Sequence, residues 1–182
     1  MILDDETPEF SRPIRVDHIP VTGMRVDVEA KPEERIALAE RFGLPSIDLL
    51  KAQVHLKAIA GGALIRLDGT ITAKVVQACV VSLEPMPAKV KEEFSLTFGA
   101  GAVTEEADAE IELSMEDEDP PEPIIDGVID VGEAVAEHLS LALDPFPRKA
   151  GIAFEGGEEP TPAEVKKPSP FAVLAQLRKN KG

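Results

Sequence analysis

The chain contains no Trp and no Tyr, and only seven Phe among 182 residues. Its core must therefore be largely aliphatic, and base recognition on a platform of stacked aromatic rings has little to build on. The single Cys, Cys79, excludes an intramolecular disulfide framework and fits a reducing compartment. No apolar stretch approaches the ~18 residues a membrane helix needs. The acidic start Met1-Ile2-Leu3-Asp4-Asp5-Glu6 lacks the basic region and apolar run of a signal peptide. A cytoplasmic protein with no membrane partner is expected. The phosphate-cradling and nucleophile fingerprints GxGxxG, GxxxxGK[ST] and GxSxG are missing as well.

Chemistry at a site needs converging groups, and few converge here. His18, His55 and His138 fall on different predicted elements, without HxxxH or HxxE spacing. Cys79 is followed by Val80-Val81-Ser82, which leaves the CxxC pair of a zinc site half empty, so Cys79 reads as a semi-buried loop thiol. His55 is expected to be a solvated or hydrogen-bonded surface residue, and His138, beside Glu137, a helix-surface one. The carboxylates between Glu105 and Glu122 lack the Asp/Asn/Gly spacing of a calcium loop. No metal, no cofactor and no enzymatic activity are expected.

What the chain does have is negative charge, unevenly spread. The net charge is −15, yet residues 104–129 alone hold eleven acidic and no basic residues. Without that segment the protein is nearly neutral, so its overall acidity is a weak guide to partners.

It also has strict alternation. In Met24–Ala30 apolar and charged residues alternate, as in a half-buried strand. A helix follows from Pro32, with Glu33 and Glu34 at its positive end and Gly43 at its stop. Leu50 to Ala58 alternates again, Gly61-Gly62 supplies a turn, and Ile65 to Val75 carries a longer alternation through Gly69, which suits a bulge or bend. A further strand runs from about Val90 to Phe98. A strand over Phe10–Val16, weakened by Pro13, a weaker one over Ala107–Met115 and a short one around Ile124–Ile129 complete the set. A second helix begins at Asp130, which with Glu133 resembles an N-terminal capping pair, and ends at Pro145.

The predicted fold is α+β: an antiparallel β-meander, or small open barrel-like sheet, with two packed helices. Residues 1–152 form the domain and contain an acidic loop over 104–123. A flexible linker follows over 153–168, then a short helix over 169–179. That helix places Phe171, Leu174 and Leu177 on one face and is too short to stand alone, so it is a candidate for docking onto a partner or its own domain.

On the polar face of the meander the alternation displays Lys51, His55, Lys57, Arg66 and Lys74, opposed by Asp68. Cations in a local patch suit phosphate contacts, which dominate affinity for nucleic acid and read an A-form helix by shape. The plainer alternative is a solvated sheet face, where Lys, Arg and Thr are common.

The stretch Val76-Gln77-Ala78-Cys79-Val80-Val81-Ser82-Leu83-Glu84-Pro85 resembles the signature of the YceD family, the large ribosomal RNA subunit accumulation proteins. The resemblance continues through Ile129–Glu133, Glu137–Leu143, Pro147–Gly151 and Pro170–Leu174, and covers most of residues 65–178. It implies a non-enzymatic role in large-subunit biogenesis, through accumulation or processing of 23S ribosomal RNA. Many members carry a CxxC at the positions of Cys79 and Ser82. Ser82 here replaces the second Cys. The family-motif loop is represented by Gln77, Cys79, Leu83, Glu84 and Pro85.

Two partner classes follow from these readings. Precursor 23S ribosomal RNA suits the basic face, and a basic ribosomal protein suits the acidic segment. The alternative role is a protein-only adaptor or chaperone that docks through the terminal helix and the acidic segment.

Overall fold

A computed structural model describes residues 8–99 and 120–152. The chain divides into two compact units, Met1–Ala150 and Gly151–Gly182, and all the strands and helices that follow belong to the first. The expected strand over 107–115, most of the acidic loop, the linker and the terminal helix with Phe171, Leu174 and Leu177 lie outside the described residues.

The order is β1 (Pro13–Arg15), β2 (Met24–Glu29), α1 (Pro32–Arg41), β3 (Ser46–Ile59), β4 (Leu64–Ala78), β5 (Pro85–Gly99), β6 (Glu122–Pro123), β7 (Val128–Asp130) and α2 (Val131–Ala142). Strands β2 to β6 form one open sheet in sequence order, antiparallel except for the parallel β5–β6 pair, and β1 pairs with β7 in a small second sheet. The fold is α+β, as the alternation predicts, and its sheets are open.

Two-residue periodicity decides what is buried. Leu50, Ala52, Val54 and Leu56 of β3 and Ile65, Leu67, Ile71, Ala73 and Val75 of β4 all point into one core. Leu38 and Ala39 of α1 and Val131, Ala134, Val135 and Leu139 of α2 join the same cluster. Both helices thus cover one face of the sheet and leave the other to solvent. Each Val, Leu or Ile among them, fully buried, contributes about 1.5–3 kcal/mol through removal of apolar area from water, which is why a chain without Trp or Tyr still folds on aliphatic packing.

The strands are longer than the alternation alone delimits. The bulge falls between Ile47 and Leu49, where the register against β4 shifts, and Gly69 stays in regular register opposite Phe94. Gly69 is needed for a different reason: a Cβ there would overlap the Phe94 ring. β5 begins at Pro85, five residues before Val90, and includes Pro87. Proline is tolerated because β6 pairs only with Phe98 and Gly99, so among the described residues the outer edge of β5 has no strand partner at this end.

α2 starts as the sequence predicts. Asp130 is its N-cap, and its Oδ1 accepts from the backbone N–H of Gly132 at 2.9 Å and of Glu133 at 3.2 Å. The same oxygen accepts the Arg12 N–H at 2.7 Å, and Oδ2 accepts the Ser11 hydroxyl. A Cβ at Gly132 would strike the Phe10 carbonyl, so the helix start lies directly on the backbone of residues 10–12. Arg12 continues the tie with a bidentate pair to Glu34 of α1, 2.8 Å to each oxygen. The Ile129–Glu133 motif thus knots both helices to the N-terminal segment.

Candidate functional site

The open face of the sheet carries the predicted cations. Lys51, Lys57, Arg66 and Lys74 are exposed and His55 is half-buried, all on the side away from the helices. The register arranges them in rows across the strands. Arg25, His55, Asp68 and Ser95 form one row; Asp27, Gln53, Thr70 and Glu93 form the next; Glu29, Lys51, Thr72 and Lys91 the third. At one end Lys57 faces Arg66, which faces Thr97. At the other the bulge sets Lys74 against Leu49 on one side, while Lys89 faces it on the other.

The face is therefore basic at its ends and mixed in its middle. A shallow trough runs across the strands between the first two rows, with Arg25, His55 and Asp68 on one wall and Asp27 and Glu93 on the other. Lys51 pairs with Glu29 at 3.1 Å, Arg66 with Asp68 at 3.0 Å, and Gln53 donates to Asp27 at 2.9 Å. Burial pushes the Asp68 carboxyl up, but hydrogen bonds from Arg66 and Ser95 and the charge of His55 together hold it below its ordinary value. Asp68 was the one opposing carboxylate expected; Asp27, Glu29 and Glu93 share the face with it. Arg25, Lys89 and Lys91 were not among the expected cations. The alternation Met24-Arg25-Val26 and Lys89-Val90-Lys91 contains the signal that places them there.

The family-motif loop closes the far end of the β4–β5 hairpin. Gln77 is buried and donates to the Asp144 carbonyl at 2.8 Å. Cys79 is fully buried rather than semi-buried, because the segment after α2 folds over it: Val80 N–H bonds to the Pro147 carbonyl at 2.9 Å, and Lys149 N–H donates to the Cys79 sulfur at 3.4 Å. Glu84 pairs with Lys149 at 2.9 Å, and that ammonium is the first cause that holds the Glu84 carboxyl below its ordinary pKa. Leu83 has φ of 59° and is 77% exposed, and Phe146 is 70% exposed nearby in sequence to Pro147. Pro85 opens β5.

His138 also departs from expectation. Its ring stacks on Phe94, with centroids 4.2 Å apart and planes inclined by 22°, in the gap that Gly69 leaves. Beside it, desolvation first and the charge of Glu137 second raise the Glu122 carboxyl above its ordinary value. Among the described residues no group of three or more His, Cys, Asp or Glu is placed to hold a metal ion, and no helix is long and apolar enough to cross a membrane.

The arrangement offers ion pairing and hydrogen bonding to an extended polar partner over the sheet, and the exposed apolar side chains of Val80, Leu83 and Phe146 at the hairpin end. Against known proteins, the family model described as large ribosomal RNA subunit accumulation protein YceD matches residues 67–178. The match takes in β4, the Cys79 loop, β5, α2 and the segment reaching Lys149. No curated protein and no solved structure matches the chain.

Proposed function

This chain belongs to the YceD family, and from that premise we propose that it is a large-subunit biogenesis factor that acts by binding rather than by catalysis. In this reading it works in the cytoplasm and promotes accumulation or processing of 23S ribosomal RNA by contacting the precursor through the open face of its sheet. The observation that carries the reading is that face itself: Lys51, Lys57, Arg66 and Lys74, with Arg25, Lys89 and Lys91, stand exposed on one side of an otherwise acidic protein. Lysine and arginine contacts to phosphates supply most sequence-independent affinity for RNA. A wide, open sheet face suits recognition of backbone and shape more than of base edges.

The test is co-sedimentation. The full chain is expected to migrate with large-subunit precursors on sucrose gradients and to crosslink to their RNA. Reversal of Lys51, Lys57, Arg66 and Lys74 to Glu should abolish both. Persistence of both in that variant would overturn the RNA reading.

A second reading is favoured by a separate observation, the exposure of Leu83 and Phe146 at the hairpin end. Exposed apolar side chains held on an ordered loop suit a protein partner. The chain would then be a protein-only adaptor, with a basic ribosomal protein drawn to the acidic residues of 104–123. Under that reading the four-site reversal leaves ribosome association intact.

A further inference from the structure

The cations of the open face are not equivalent. Lys51 is committed to Glu29 and Arg66 to Asp68. Lys57 and Arg25 form no ion pair among the described residues. Lys57, however, faces an Arg66 already held by its carboxylate, and Arg25 faces His55 rather than a second free cation. At the end nearest the Cys79 loop the situation differs. Lys74 and Lys89 are register partners, and Lys91 follows on the same face, opposite Thr72. All three are exposed, and none forms an ion pair among the described residues.

Directly opposed side chains on neighbouring strands have Cβ atoms about 4.5–5.5 Å apart, and diagonal ones about 7–8 Å; like charges in such positions destabilise the sheet. Three ammonium groups gathered in this way, on a chain of net charge −15, concentrate positive potential where nothing in the described fold uses it. The nearest acids in the strand do not neutralise it: Glu92 is partnered with Ile71 on the opposite face, and Glu93 lies two residues on, at the edge of the mixed centre. An anion lying across the trio relieves the repulsion. The Thr72 hydroxyl beside Lys91 adds a neutral donor of the kind that accompanies Lys at phosphate oxygens.

We infer that Lys74, Lys89 and Lys91 are the principal phosphate-contact point of this protein for an RNA backbone, because three ammonium groups without an ion pair gather there, whereas Lys51 and Arg66 are neutralised in place. The inference rests on the RNA reading above and narrows it to one end of the sheet.

Salt dependence of binding tests it, with a short labelled RNA duplex and its separated strands as probes. Each phosphate neutralised contributes roughly 0.9 to the slope of log affinity against log salt on a duplex and about 0.7 on a single strand. Replacing Lys74, Lys89 and Lys91 together by Ala should lower the slope by about two to three. Replacing Lys51 and Arg66 by Ala should lower it by less than about one. A single change, Lys89→Glu, adds a control for folding: it puts opposite charges across from each other, so the thermal midpoint should be no lower than wild type while RNA affinity falls about tenfold or more at low salt.

If wild type binds RNA and the triple variant keeps its slope, the inference is overturned and the RNA reading stands. If wild type binds neither probe, both fall together. Capture of poly-glutamate by wild type but not by the triple variant, without RNA binding, would assign the patch to an acidic peptide and also overturn the inference.

Discussion

The backbone N–H of Lys149 donates to the sulfur of Cys79 at 3.4 Å, across a separation of 70 residues. It is one strand of a small knot. Cys79 N–H bonds to the Glu84 carbonyl at 2.9 Å, Leu83 N–H to the Cys79 carbonyl at 2.8 Å, and the Lys149 ammonium returns to Glu84. Two parts of the family signature, 76–85 and 147–151, therefore meet around a single sulfur.

That sulfur is surrounded by donors, which favour the thiolate. The Ser82 hydroxyl contributes most, followed by the backbone N–H groups of Lys149, Ser82 and Val81, and they hold the Cys79 thiol down to about 6 against the opposing effect of burial. Titration of thiolate ultraviolet absorbance should therefore show a midpoint near 6, and Ser82→Ala should move it upward. The folded value lies below the ordinary ~8.5. The stabilisation it brings is thus fully present above the unfolded value and is lost as pH falls through the folded one. Stability of wild type relative to Cys79→Ala should accordingly grow as pH rises from about 6 to about 8.5, and a flat difference would remove the thiolate from the account.

Asp130 serves two elements at once, so its removal should cost more than a cap. A lost N-cap costs about 1 kcal/mol. The Arg12 N–H and Ser11 hydroxyl left without their acceptor add about 1–3 kcal/mol. Asp130→Ala is expected to lower unfolding free energy by about 2–4 kcal/mol in urea titrations. Asp130→Asn, which retains one side-chain carbonyl, should lose no more than about half of that.

Gly69 is a packing position. Gly69→Ala places a methyl group in the Phe94 ring and should destabilise by about 1–3 kcal/mol through overpacking. Because that ring is what His138 stacks on, the His138 ring resonances should shift in the same variant. The double change Gly69→Ala with Phe94→Leu should recover part of the stability, whereas a bulge or bend at residue 69 would give no such rescue.

The meander was legible because alternation over Leu50–Ala58 and Ile65–Val75 needs no tertiary information: one face must be buried, and a slip by one residue would expose it. The start of β5 was hidden by Pro85 and Pro87, whose cost depends on whether the neighbouring edge is paired, a fact of topology; among the described residues that edge pairs only at Phe98 and Gly99. Lys89 and Lys91 were missed with it. The burial of Cys79 was illegible for a similar reason, since its cover comes from Pro147 to Lys149. Of the candidate site, the sequence indicated the cations on β3 and β4, while the carboxylates on β2 and β5 became neighbours only through register.

Leu83 is the residue at which strain and exposure coincide. A non-glycine residue with φ of 59° bears a cost of roughly 1–2 kcal/mol, and a Leu that is 77% exposed recovers little of it by burial. Leu83→Gly releases that strain and adds unfolded-state entropy of about 0.5–1 kcal/mol, so stability should stay level or rise by up to about 1 kcal/mol. A fold-preserving variant of this kind separates the two functional readings. If the hairpin end docks a protein, Leu83→Gly should weaken large-subunit co-sedimentation without changing the salt slope for RNA. If the sheet face alone makes the contact, co-sedimentation should match wild type. Loss of stability on this substitution would instead mean that the Leu83 side chain is held by packing and that its backbone conformation carries little strain.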